Sequence, residues 1–140
     1  MLMTAFALAA AVPATSAKDA SVAAAVQVVR DYYAAIQRRD YRTAHALWSN
    51  GRSLEAFRQG YARTAWVKLT PVPPFTAEGA AGSVYADIAV RVDAGLTDGR
   101  RQHFAGTYSL RRVNDVDGST AAQRHWHIIG AKLKAVPAGR

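Results

Sequence analysis

"RDYYAAIQRRDYRTAHALW", Arg30 to Trp48, is where the architecture of this chain becomes legible. Leading into it, Val22, Val26, Val29, Tyr33 and Ile36 recur at spacings of four, three, four and three, which draws one apolar stripe along a helix. Ser21 can cap that helix, and the pattern runs to about Gln37. Asp40 stands just before a second helical pattern in which Tyr41, Ala44 and Trp48 share a face. A carboxylate at that position accepts hydrogen bonds from the free N–H groups of a helix start. "SNG" at Ser49 to Gly51 breaks the pattern, and Ser53 can open a third helix with Leu54, Phe57 and Tyr61 on one side. Helices this short are unstable alone, so each must pack on something.

A sheet supplies the partner. After Thr64 the period changes: "WVKLT" reads as a short strand, stopped by "PVPP", whose prolines cannot continue a ladder. From Val84 to Val92, Val84, Ala86, Ile88, Val90 and Val92 alternate with Tyr85, Asp87, Ala89 and Arg91, the period of a strand with one covered face. "TDG" at Thr97 to Gly99 signals a hairpin. Arg100 to Arg112 gives the returning strand, with Phe104, Gly106, Tyr108 and Leu110 on one side, and His125 to Lys134 gives the last. Gly106 and Gly130 inside strands suggest a bent sheet, since glycine marks bulges and close approach. The expected class is α+β, with N-terminal helices gathered on one face of a curved, mostly antiparallel sheet of about four strands.

Composition bounds the rest. The 140 residues suffice for one domain; half are hydrophobic and 20% charged, ordinary proportions for a globular protein. Without cysteine there is no disulfide framework, no thiolate zinc site and no lipidated leader cysteine. "MLMTAFALAAAVPATSA" carries no charge and ends in small residues, so residues 1–17 read as a signal peptide cleaved before Lys18. No Lys or Arg precedes its apolar run, which suggests that the true translation start lies upstream. The expected organisation is a leader over 1–17, one domain over 18–134 and a loose tail over 135–140, in a periplasmic or secreted protein. The net charge of +8 favours anionic partners. Its arginine doublets, Arg38–Arg39, Arg100–Arg101 and Arg111–Arg112, are scattered, which argues against a dedicated nucleic-acid site. No stretch reads as a membrane span.

The hairpin "YYAAIQRRDYRTAHALW", the strand pair "VRVDAGLTDGRRQHFAGTYSLRR" and the closing "RHWHIIGAKL", in this order, resemble the NTF2-like superfamily, which includes ketosteroid isomerases and many exported bacterial proteins. The resemblance covers Ser21 to about Leu133. It implies a cone-shaped domain with a cavity between the sheet and the helices. In the isomerase branch a tyrosine eight residues before the inter-helix aspartate donates a hydrogen bond to a developing enolate; that position is Tyr32. Ungapped alignment of "GRRQHFAGTYSLRR" puts Tyr108 where those enzymes carry a protonated acid. The resemblance thus implies a Tyr32–Tyr108 donor pair for a carbonyl or anion. The proton-abstracting aspartate has no counterpart: its segment reads "SNGRSLEAF", with Glu55 already inside the third helix. Without a base there is no proton transfer, and isomerase activity does not carry over.

The candidate pocket is therefore Tyr32, Trp48, Phe57, Tyr61, Tyr108 and Trp126, lining an apolar cavity or simply forming core. Because Tyr33 continues the apolar stripe, Tyr32 is expected about 100° away, toward a flank. His125 and His127 fall on one side of a strand, but the next histidines, His103 and His45, belong to other elements, so neither a metal nor a cofactor is expected. Asp87 and Asp93 should face water, and no phosphate loop or nucleophile motif appears. These features fit a non-catalytic exported module that binds a small apolar or amphipathic ligand in its cavity, or a partner protein over its sheet. The alternative is a small enzyme of ketosteroid-isomerase or dehydratase type, with Tyr32 and Tyr108 as donors and His103 as base. A homodimer through the sheet is a third arrangement.

Overall fold

The computed structural model describes residues 17–114 and 117–138. The leader expected over residues 1–17 lies, except for Ala17, outside them. Helix α1 is Ala17–Gln37, so Ser21 falls inside the helix rather than at its cap. Arg39 turns the chain with φ 60, and the Asp40 N–H donates to Ala35 O at 2.9 Å. Helices α2, Tyr41–Ala46, and α3, Leu54–Gly60, start at Asp40 and Ser53 as their capping residues predict. The Asp40 carboxylate accepts from the Thr43 hydroxyl at 2.7 Å and the Thr43 N–H at 3.2 Å, and these bonds hold its pKa below the usual carboxylate range. Such a group stabilises the fold above its unfolded pKa, and that contribution is lost as pH falls through the lowered folded value. Asp40→Ala should lower the urea midpoint at neutral pH, and its further decline below about pH 4 should be shallower than in the wild type.

Five strands follow: β1 Thr64–Pro71, β2 Thr76–Ala80, β3 Ser83–Leu96, β4 Arg101–Val113 and β5 His127–Ala135. All pair antiparallel in the order β1-β3-β4-β5. Strand β2 also pairs with β3: it covers Ser83 to Asp87, while β1 covers Val90 to Leu96, so the two lie end to end along one edge of β3. Pro71 is the last residue of β1, and Pro73 and Pro74 fall in the gap between the two. Strand β2 was not expected; Thr-Ala-Glu-Gly-Ala has no branched aliphatic alternation to betray it.

One face of the sheet is covered. Ala86, Ile88, Val90 and Val92 of β3, Tyr108 and Leu110 of β4 and Ile128 of β5 pack against Val29, Tyr32, Tyr33 and Ile36 of α1 and Phe57 of α3. The Gln37 side-chain oxygen accepts the Val67 N–H at 2.8 Å, pinning the end of α1 to β1. Curvature has two sources where β4 meets β5. A register shift opposite Ser109 and Leu110 leaves Ile129 bulged, and Gly106 lets β5 approach so closely that a Cβ there would lie 1.8 Å from Lys132 O.

Trp48 departs from its expected place. Helix α2 stops at Ala46, and Trp48 forms a parallel bridge with Ile128 instead of extending the helical face. The Ser49 N–H donates to Ile128 O and the Ile128 N–H to Leu47 O, both at 2.8 Å. The stretch between α2 and α3 is thereby fastened to the start of β5.

Candidate functional site

Helix α1 lies between the sheet on one side and α2 with α3 on the other, so its buried arc is wider than a single stripe. Tyr32 and Tyr33 are consequently both buried, at 1% and 5% exposure, and Tyr32 is not on a flank. Their rings meet edge to face at 5.0 Å. Tyr32 also packs against Trp48 at 6.0 Å, Phe57 at 6.1 Å and Tyr108 at 6.1 Å, and Phe57 reaches Tyr61 at 5.3 Å. Five of the six expected pocket residues thus form one aromatic cluster. Trp126 stands apart from it: the indole is buried, with the Arg112 guanidinium 5.6 Å over its ring.

The hydroxyls are paired differently from the expected Tyr32–Tyr108 couple. Tyr32 shares a hydrogen bond with Tyr61, and Tyr33 with Tyr108, each at 2.5 Å between oxygens. Burial pushes the ionisation of Tyr32, Tyr33, Tyr61 and Tyr108 above the ordinary tyrosine value, and neighbouring tyrosines push Tyr32 and Tyr108 further. Each hydroxyl therefore stays neutral; one of each pair donates and the other accepts, so every oxygen has a partner while one O–H per pair is left to donate. The Trp48 indole N–H is the exception. It is buried and has no acceptor in hydrogen-bonding geometry, although it lies near enough to the Tyr32 hydroxyl to oppose part of that rise.

The titratable side chains that a proton transfer needs stand at the border of the cluster or beyond it. His45 borders the cluster through Phe57, at 5.6 Å, but its Nε2 is joined to Arg52 O at 2.5 Å. Glu55 is exposed in the first turn of α3. His103, the expected base of the enzymatic alternative, projects from the opposite face of the sheet and is paired with Asp93 at 2.6 Å. It cannot serve Tyr32 or Tyr108 from there. Among the described residues no group of three or more His, Cys, Asp or Glu comes together to hold a metal.

Open space lies around the cluster. A hollow of about 420 Å³ at the rim is bounded by Trp48, Arg111, Arg112 and His127. Another, of about 320 Å³, lies on the outer sheet face beside Trp66 and His103. That outer face carries exposed Trp66 and Tyr85, the latter under the Arg111 guanidinium at 6.0 Å. It also carries Lys68, Arg91, Arg101, Lys132 and Lys134, which the register places on the same side. Of its three carboxylates, Asp87 is taken up by the Ser109 hydroxyl at 2.7 Å and Asp93 by His103, while Glu78 of β2 stands exposed beside Tyr85. The sequence contained the signal for this surface: a hairpin turning at Asp98–Gly99 sets Asp93 opposite His103, and alternation then fixes the rest.

No family model matches the chain, and no curated protein does. Solved structures do. A candidate dehydratase of the NTF2-like family from Streptomyces avermitilis superposes with a TM-score of 0.58 at 15% identity, over 86% of this chain and 99% of that one. A candidate scytalone dehydratase from Novosphingobium aromaticivorans gives 0.59 at 12% identity, over 82% and 83%. An NTF2-like superfamily protein from Salmonella enterica gives 0.55 at 14% identity, over 81% and 88%. Identities this low speak for architecture, and in architecture the chain, with its helices closing a curved antiparallel sheet, has the NTF2-like fold.

Proposed function

We propose that this protein is an exported, non-catalytic binding module, and that it recognises an amphipathic anion on the outer face of its sheet. The observation that carries this reading is the contrast between the two faces. Inside, the four tyrosine hydroxyls are paired with one another, and His45, the histidine at the border of the cluster, is joined to Arg52 O. Outside, six cations and exposed aromatic rings outnumber three carboxylates, of which Asp87 and Asp93 already have partners. Apolar surface rimmed by charge of one sign suits a guest with an apolar body and a negative end. A second copy of the chain suits it less, because a two-fold contact there would set like charges against each other.

A second reading, a dehydratase-type enzyme, has in its favour the names of two structural neighbours. It requires Tyr32 or Tyr108 to accept from its partner while turning its own O–H toward the guest, and a base to act beside them. Amide spectra of the protein titrated with decanoate separate the two. The binding module predicts saturable shifts at Trp66, Tyr85 and Ile129, unchanged by Tyr32→Phe. Shifts centred on Tyr32, Trp48 and Tyr61 would place the guest inside and overturn the outer-face reading, and loss of turnover in Tyr32→Phe would then mark the enzyme.

A further inference from the structure

The outer-face hollow beside His103 is built more specifically than the rest of that surface. Asp93 and His103 face each other across β3 and β4, and Asp93 Oδ1 lies 2.6 Å from His103 Nδ1. The carboxylate holds the imidazole by Nδ1–H, and Nε2 has no hydrogen-bond partner among the described residues. Lys68 is the cross-strand neighbour of Asp93 on β1, and Arg91 and Arg101 stand on β3 and β4 along the same hollow. All three are exposed, and none forms an ion pair among the described residues.

Trp66 forms the flat side. Its register partner is Gly95, and a Cβ there would lie 2.0 Å from Trp66 Nε1 and 2.5 Å from its ring carbon Cε2. The indole therefore lies across bare backbone, and any other residue at 95 would lift it off the strand. It remains 36% exposed, so a ring face is laid against the sheet beside the cations. Val136 and Pro137 close one end of the hollow. Its volume, about 320 Å³, is at the small end for ligand sites, enough for one ring and a charged group.

Resting on the outer face as the recognition surface, we propose that this groove binds a small aryl anion. Its ring lies on Trp66, and its phosphate or carboxylate is held by Lys68, Arg91 and Arg101, with His103 Nε2 at its edge. The chemistry fits in each part: guanidinium groups meet carboxylate or phosphate oxygens in paired hydrogen bonds, and an indole face accepts a stacked ring.

Phenyl phosphate is the probe, titrated into the full chain and followed by the Trp66 indole N–H and the Gly95 and His103 amides. Saturable shifts at these three signals are expected. Arg91→Gln and Arg101→Gln, both at exposed positions, should each weaken binding about tenfold, the effect of losing a charge-assisted hydrogen bond. Arg58→Gln removes the same charge from α3 and should leave affinity within about twofold. Equal weakening by Arg58→Gln would reduce the effect to net charge and overturn the proposal. Inorganic phosphate binding as tightly as phenyl phosphate would remove the stacked ring, and benzyl alcohol binding as tightly would remove the anion; either overturns it. Shifts gathered around Tyr85 and Arg111 would refute this groove while leaving the outer face as the binding surface. Shifts at Tyr32 and Trp48 would refute both.

Discussion

Gly106→Ala should cost about 3 kcal/mol, at the top of the range for an overpacked core, and lower Tm by roughly 10–15 °C. The added methyl would lie 1.8 Å from Lys132 O and 2.8 Å from Leu133 Cα. Both are backbone atoms of β5, so no side chain can rotate out of the way, and relief comes only by parting β4 from β5. Tyr108 and Leu110 lie two and four residues further along the same side of β4, so the damage spreads into the aromatic cluster. Gly130→Ala is the matched control. A Cβ there has no atom within 4 Å, and its cost should stay within about 0.5 kcal/mol. Urea melts of the two variants side by side provide the check. Equal midpoints would mean that the strands have room to spare at Gly106.

The tyrosine pairs should give the second large effect, and it has a characteristic asymmetry. Tyr108→Phe strands the Tyr33 hydroxyl in the core without a partner, which should cost about 1–3 kcal/mol. Tyr33→Phe strands Tyr108 and should cost a similar amount. The double variant removes both polar groups and should recover much of the loss, so a double-mutant cycle should show strong coupling. The same burial governs alkaline behaviour. Each of Tyr32, Tyr33, Tyr61 and Tyr108 has a folded pKa above its unfolded value of 10.0. Their contribution is therefore complete below about pH 10 and declines as pH rises beyond it, because the unfolded chain releases protons that the folded chain retains. Tyrosinate absorbance should show these four ionising together in one cooperative step that coincides with loss of near-ultraviolet dichroism. Gradual ionisation of all the tyrosines in a folded protein would mean that the cluster is open to water.

Much of the fold could be read from local signals. Asp40 and Ser53 announce α2 and α3 because a capping side chain and the N–H it satisfies lie within three residues. The alternation of β3 and the turn at Gly99, with its φ of 88, are equally local. What escaped depends on distant partners. Trp48 keeps helical spacing from Tyr41 and Ala44, yet its place is set by Ile128. Tyr32 and Tyr33 carry no mark of which hydroxyl they meet, since those partners lie 29 and 75 residues away. The candidate site suffered most from this. Residue types pointed to five side chains that pack as one cluster, with Trp126 apart from them, but not to which hydroxyls pair. The outer groove was within reach, because Asp93 opposite His103 follows from the hairpin alone, whereas Trp66 lying over Gly95 depends on β1 finding its register.

The fastening of Leu47 to Ser49 onto Ile128 bears on how this chain matures. Two hydrogen bonds join a point a third of the way along the polypeptide to its last strand. The early helices must wait, amphipathic and uncovered, until that strand is present to fold with them. A ribosome-stalled fragment ending before His127 should therefore be a good client for chaperones, and release of the remaining residues should end that dependence in a single step.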